Sequence, residues 1–417
     1  MLKGYAMSNR DMKELKKTAR FIYSCRRCGI CGNKYTGEVP YVCPVREDTP
    51  GFDQFYARGK IVIAQGLLEG TIEQTPDLIE SLYACTLCGN CMTQCGAIDQ
   101  DTGGPLVETT KIVEAMRADY FRNHPEWLDA AYHSMLKSTK QYGNPWGVPR
   151  TVKGQWAKRL KLRSAKTDPA PVLLYVGCTF AAHRELAARA VKAAAVLQKA
   201  GVDFAVLGRD EPCCGSVQRR VGARDDAEAM MQDNIALFNS LGCEEIVTLC
   251  AGCHHTIKKE YDDCGGELKP RVHHIVEFLD SLIKAGKLHF TKEVGLKAAY
   301  HDPCHLGRHM GIFDPPRNIL RSIPGVELKE RRATKENTIC CGAGGGMRLF
   351  EGGGMATRIA ARALEEAQQA GADAVVSACP FCEMNLDNAS TGLKEPMAVY
   401  DLLDLVAESI ETELPDS

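Results

Sequence analysis

Two stretches of the same design decide the fold. They are Glu245-Ile246-Val247-Thr248-Leu249-Cys250-Ala251-Gly252-Cys253 and Asp373-Ala374-Val375-Val376-Ser377-Ala378-Cys379-Pro380-Phe381-Cys382. Each opens with a short, bounded apolar run, the mark of a buried strand, and ends in a C-x2-C pair. Two further runs lead to cysteine in the same way. Val172-Leu173-Leu174-Tyr175-Val176 precedes Cys178, and Leu296 to Tyr300 precedes Cys304. Between these come Cys213-Cys214-Gly215, preceded by the apolar run Val202 to Leu207, and Cys340-Cys341-Gly342. Matched in chain order, the two sets of five cysteines are separated by 126, 127, 127, 129 and 129 residues. Five matches within three residues mark an internal duplication.

Helical patterns lie between the strands. Ala181 to Ala200 stops at Gly201, Asp225 to Leu241 at Gly242, and Met355 to Ala370 at Gly371, each a glycine stop signal. Strands alternating with helices imply parallel sheet, with ligands gathered beyond the strand C-termini. Cys178, Cys250, Cys304 and Cys379 stand where such a site forms.

Working outward toward the N-terminus, eight more cysteines form two hooks. Cys25, Cys28, Cys31 and Cys43 read C-x2-C-x2-C-x11-C-P, and Cys85, Cys88, Cys91 and Cys95 read C-x2-C-x2-C-x3-C-G. The second spacing is that of a bacterial ferredoxin motif. Three thiolates from one tight loop can grip three corners of a cubane while the fourth arrives from elsewhere. Gly29 and Gly89 suit backbone that passes close to sulfide. Paired C-x2-C hooks would suit zinc; triple hooks do not. By the ferredoxin rule of exchanged fourth ligands, Cys25, Cys28, Cys31 and Cys95 hold one cluster, and Cys85, Cys88, Cys91 and Cys43 the other. The surroundings read as helices at Asp11 to Tyr23, Arg58 to Leu68 and Pro76 to Tyr83.

Composition narrows the function. The chain has 417 residues, enough for two or three domains. Its net charge of −2 argues against a nucleic-acid binder. No apolar run reaches the roughly 18 residues of a membrane span. The start, Met1 to Met7, soon becomes charged, so no secretory signal is expected. Twenty cysteines without such a signal point to bound metal, not to a disulfide framework. The expected location is the cytoplasm, or the inner face of the membrane by way of a partner.

The repeated pattern C-x34-C-C-G-x34-C-x2-C and C-x35-C-C-G-x36-C-x2-C resembles the duplicated cysteine-rich CCG domain of the heterodisulfide reductase B subunit. Placed behind a two-cluster ferredoxin module, it resembles the D subunit, which fuses C-like and B-like parts. Asn144-Pro145-Trp146-Gly147 is similar to the connecting segment of these proteins. The same arrangement occurs in iron–sulfur subunits of anaerobic glycerol-3-phosphate, glycolate and lactate dehydrogenases. The resemblance implies an α+β protein: a helical two-cluster ferredoxin module followed by two α/β CCG domains related by pseudo-twofold symmetry. The expected limits are 1–142, a linker at 143–170, then 171–290 and 291–417. It also implies two cubane 4Fe-4S clusters and two non-cubane 4Fe-4S clusters. One non-cubane cluster would lie on Cys178, Cys213, Cys214, Cys250 and Cys253, the other on Cys304, Cys340, Cys341, Cys379 and Cys382. The implied activity is that of an anaerobic oxidoreductase subunit, passing electrons from cubane to non-cubane clusters that cleave or form a disulfide. The implied partners are a flavoprotein, a cytochrome b or an HdrA-like subunit, with a thiol or disulfide substrate. The competing function is pure electron transfer between a flavin dehydrogenase, or a larger bifurcating complex, and a quinone or cytochrome.

Other residues carry weaker expectations. His254, His255 and His305 adjoin cluster cysteines and are candidates to hydrogen-bond sulfur or to line a cavity rim. His183 and His309 are weaker cases. Cys243 and Cys264 match nothing in the other repeat and read as small buried side chains. The glycines at 344–346 and 352–354 lack the G-x-G-x-x-G arrangement of a nucleotide loop and read as backbone clearance around the second non-cubane cluster. Lys158, Arg159, Lys161, Arg163 and Lys166 read as a solvated linker.

Overall fold

The computed structural model describes residues 12–410 apart from Lys34, Gly37 and Glu38; Asp11, where the first expected helix begins, lies outside the described residues. In the N-terminal part, β1 (Tyr35–Thr36) and β2 (Val39–Pro40) pair antiparallel. This short pairing lies between Cys31 and Cys43. The first repeat contributes β3 (Val172–Tyr175), β4 (Phe204–Val206), β5 (Glu245–Thr248) and β6 (Arg271–His274). The second contributes β7 (Leu296–Tyr300), β8 (Val326–Leu328), β9 (Ala374–Ser377) and β10 (Ala398–Asp401). Each set makes a four-stranded sheet, in the orders β4-β3-β5-β6 and β10-β9-β7-β8. All pairings within these two sheets are parallel. Numbered within its own repeat, each sheet has the order second, first, third, fourth. Every residue of β3 and of β9 is buried, as expected of central parallel strands covered on both faces.

The repeats share one hydrophobic core. Helix Ala187–Lys199 of the first packs on helix Leu402–Ser409 of the second, and Ile275–Lys284 packs on Asp314–Ser322. Val196, Leu279, Ile319 and Val406 belong to the same buried cluster, each contributing about 1.5–3 kcal/mol by leaving water. The alanines at 190, 193 and 194 make the helix face that allows close approach. The N-terminal module has its own core around Leu15, Leu67, Leu82, Ile112 and Met116, which continues onto Val221 and Ala223 of the first repeat. Its helices Ala57–Glu69 and Ala130–Tyr142 both end on a left-handed glycine.

Several expectations are corrected. The helix expected up to Tyr23 breaks into Lys13–Lys17 and Ala19–Tyr23 at Thr18, whose hydroxyl donates to the Leu15 carbonyl at 2.8 Å. The helix expected at Ala181 to Ala200 divides into Cys178–Ala182 and Ala187–Lys199, because His183 is extended. The segment 143–170 is not merely solvated. It forms helices Arg150–Lys153 and Gln155–Arg159, buries Trp156, and buries Lys153, whose Nζ donates to the Glu211 carbonyl. Lys158, Lys161 and Lys166 remain exposed. Among the described residues no helix is long and apolar enough to cross a membrane.

Candidate metal centre

In each sheet the first and third strands are neighbours, while their outer partners lie on opposite sides. This is the switch point at which open parallel sheets bind ligands. Cys178 follows β3 and Cys250 follows β5; Cys304 follows β7 and Cys379 follows β9. Glu211 fixes the end of β3, accepting from the amides of Val176 at 2.9 Å and Gly177 at 2.7 Å. Burial pushes its carboxyl up to about 7 against the opposing charge of Lys153.

The ten cysteines form one continuous row of neighbouring thiols. In the first repeat Cys178 meets Cys213, which meets its neighbour Cys214; Cys214 meets Cys253, and Cys253 meets Cys250. Cys250 then meets Cys379 of the second repeat. From there the line runs through Cys382, Cys341 and Cys340 to Cys304. Cys340 also contacts Cys88 of the N-terminal module, and that contact draws the Cys88 thiol down to about 5. All twenty cysteines are free thiols.

In the N-terminal module Cys31 has Cys25, Cys28 and Cys95 as neighbours. Cys43 has Cys85 and Cys88. Burial pushes Cys31 up to about 11 and Cys43 up to about 12. A cavity is walled by Cys43, Cys85, Cys88 and Cys91. Both hooks adopt the same backbone turn. Arg27 and Leu87, one residue before the second cysteine of each, have φ of 55°, followed by Gly29 at 84° and Gly89 at 76°. Such alternation turns successive amides toward one point and makes a seat for an anion. Soft thiols gathered around such seats fit an iron–sulfur cluster, an anionic group that takes thiolate ligands.

The histidines separate into two groups. His255, His305 and His309 form a triangle with ring centroids 5.0 to 5.1 Å apart. Burial lowers His255 to about 4, His309 to about 3, and His305 well below its usual value. His309 reaches the Leu87 carbonyl at 3.2 Å and Arg308 donates to the Cys88 carbonyl at 2.8 Å. Together they clamp the second hook to the second repeat. His254 is not at a rim: it is fully buried, 5.7 Å from the His274 ring and 3.5 Å from the Glu277 carboxylate. In the glycine run 344–346, Gly344 and Gly345 clear the second hook's backbone. A Cβ on Gly345 would come within 2.4 Å of the Cys85 carbonyl. Cys264 is buried beside Met231, and Cys243 is half-buried. One residue escaped the sequence reading. His301 lies with Cys341 and Cys382, their ligand atoms within 4.8 Å of one another. The duplication pairs it with Tyr175, which alone could have drawn attention to it.

Comparison with known proteins agrees with this architecture. The Cysteine-rich domain family (CCG) matches residues 172–258 and 298–387, and the 4Fe-4S dicluster domain family matches residues 21–97. The chain is 33% identical to the D subunit of the dihydromethanophenazine:CoB–CoM heterodisulfide reductase of Methanosarcina mazei, covering 94% of each chain. To its counterpart in Methanosarcina acetivorans it is 32% identical, covering 93% of each. It is also 30% identical to the EtfAB:quinone oxidoreductase of Syntrophomonas wolfei, over 80% of this chain and 47% of that one. Fold, thiols and relatives together define an iron–sulfur electron-transfer subunit of the oxidoreductase type, working with redox partner subunits. The chain belongs to the family of heterodisulfide reductase D subunits.

Proposed function

We propose that the chain is the iron–sulfur subunit of an anaerobic heterodisulfide reductase-like complex with a composite thiol–disulfide site. Two cubane 4Fe-4S clusters would be held by Cys25, Cys28, Cys31 and Cys95, and by Cys85, Cys88, Cys91 and Cys43. Each five-cysteine nest would hold one non-cubane 4Fe-4S cluster. The domain limits 1–142, 143–170, 171–290 and 291–417 belong to the same reading. When bound, the clusters supply or accept the single electrons that cleaving or forming a disulfide requires.

The observation that carries this reading is the Cys250–Cys379 contact. It joins the two nests edge to edge, so that the two sulfurs of a disulfide can each face one nest. Arg308 and His309 hold the second hook against the second nest. The imidazoles of His255, His305 and His309 are kept neutral by burial. His309 spends its N–H on the Leu87 carbonyl and His255 its lone pair on Arg220, which leaves His309 a lone pair and His255 an N–H without adding a fixed charge.

The test is anaerobic purification with native partner subunits, followed by iron and sulfide analysis and disulfide-cleavage assays. The expected content is about 16 irons per chain by ligand counting; zinc with little iron would overturn the reading. Similarity to an EtfAB:quinone oxidoreductase favours a second reading, a relay between a flavoprotein and a quinone or cytochrome. Cys214→Ser and Cys341→Ser separate the two, since full turnover in either variant supports the relay.

A further inference from the structure

The duplication places His301 at the position of Tyr175, 126 residues apart, yet the two side chains treat their nests differently. Tyr175 lies close to Cys253 and Cys214. Its hydroxyl donates to the Pro212 carbonyl at 2.7 Å, so its proton is taken. His301 lies against Cys382 and Cys341, the counterparts of those two cysteines. It is 1% exposed; its ring is within hydrogen-bonding reach of the Cys341 thiol, while its Nδ1 has no hydrogen-bond partner among the described residues. A buried polar atom left unpaired is costly, so an acceptor at this point would remove a standing penalty. The Cys341 and Cys382 sulfurs, within 4.8 Å of a ring nitrogen, are able to serve. Cationic side chains face both nests, Arg220 and Lys153 the first and Arg348 and Arg308 the second.

We propose that His301 is a positioning residue whose imidazole N–H donates to sulfur at Cys341 and Cys382, raising the reduction potential of the centre held there, an aid the first nest lacks. The inference rests on the iron–sulfur reading above. A hydrogen bond to cluster sulfur favours the more negative, reduced state and so raises the potential. The two copies would then hold centres of unequal potential in equivalent folds.

The experiment uses the full-length protein, anaerobically purified with its clusters. Iron content and potentials are read by redox titration with electron paramagnetic resonance, and Cys341→Ser identifies the second-nest signal. His301→Leu should keep its iron while the one-electron equilibrium of the second nest moves about tenfold toward the oxidised form, a fall of about 59 mV. His301→Tyr, which copies the first repeat, should behave alike and stands in if the leucine variant fails to fold. His301→Gln, which keeps an N–H, should recover most of the shift. The first-nest signal should stay in place throughout. An unmoved potential at full iron content in His301→Leu or His301→Tyr would overturn the proposal. Loss of second-nest iron in the leucine and glutamine variants alike would also overturn it, making His301 a ligand. Absence of iron from both nests of the unsubstituted protein would instead refute the underlying iron–sulfur reading.

Discussion

Replacing Arg117 by methionine should loosen the N-terminal module from both repeats at once. The side chain is fully buried and lies 4.7 Å from the centre of the Tyr83 ring. Its Nε and Nη2 donate to the Leu82 carbonyl at 3.0 and 2.8 Å, and Nη2 also donates to that of Cys85 at 2.9 Å. Nη1 donates to Arg220 of the first repeat and Gly345 of the second, both at 2.8 Å. Methionine fills similar length and supplies no donor, so these four carbonyls lose their guanidinium partner. At about 1–3 kcal/mol for each unsatisfied acceptor, a simple sum gives about 4–12 kcal/mol. Relief from burying a cation without a carboxylate, and coupling between neighbouring bonds, pull the figure toward the lower end. We expect a loss of about 4 kcal/mol, a large share of a typical stability of about 5–15 kcal/mol. Hydrogen exchange measured anaerobically by mass spectrometry reads it directly. Segments 82–88, 217–223 and 343–348 should lose protection together, by about a thousandfold at about 1.4 kcal/mol per decade. Strands β5 and β9 should keep theirs. If the three segments exchange as in the unsubstituted protein, the reasoning is wrong.

Two further substitutions probe other contacts. Cys43→Ser should remove about 4 of about 16 irons and leave the signal of the Cys25, Cys28, Cys31 set intact; loss of that signal instead would refute the ligand exchange. Arg317→Met should cost the second repeat about 3–5 kcal/mol in an anaerobic melt, because it strands Asp302, which is buried with it in a two-pronged pair at 2.7 and 2.9 Å. Burial works to raise Glu330, but its bond to Arg317 prevails and holds it below the usual range. Its stabilising share is therefore present above the unfolded carboxylate pKa and lost as pH falls through the lower folded value; an Arg317→Met protein with the same acid stability profile would contradict this.

What the sequence makes legible is what lies close together along the chain. A strand end and its C-x2-C pair sit within nine residues at 245–253, so the duplication, the sheet class and the thiol nests can all be read without coordinates. Edge strands other than β4 escape. Arg271-Val272-His273-His274 forms β6, but a strand paired on one side needs no continuous apolar run, and polar residues hide it. Segment 143–170 misleads because its charges are conspicuous while Trp156 and Lys153 carry the burial. Arg117 and His301 are illegible for a different reason. Arg117 meets partners 103 and 228 residues away, and His301 matters only through a sulfur pair 40 and more residues downstream. No local pattern records such meetings.

The core shared by the two copies also sets a timetable for synthesis. Helix Ala187–Lys199 leaves the ribosome with its alanine face bare, and its cover, Leu402–Ser409, is about 200 residues behind. At ~5–20 residues per second the wait is ~10–40 s. During that time the first nest has no second nest beside it, and its thiols stand open to solvent, oxidant and stray metal. The polypeptide therefore gains from meeting its iron-delivery machinery late, after the final helix has closed, and from being made where oxygen is scarce. A duplicated gene kept as one reading frame has this cost, and in return the two halves are always delivered in equal number and already in contact.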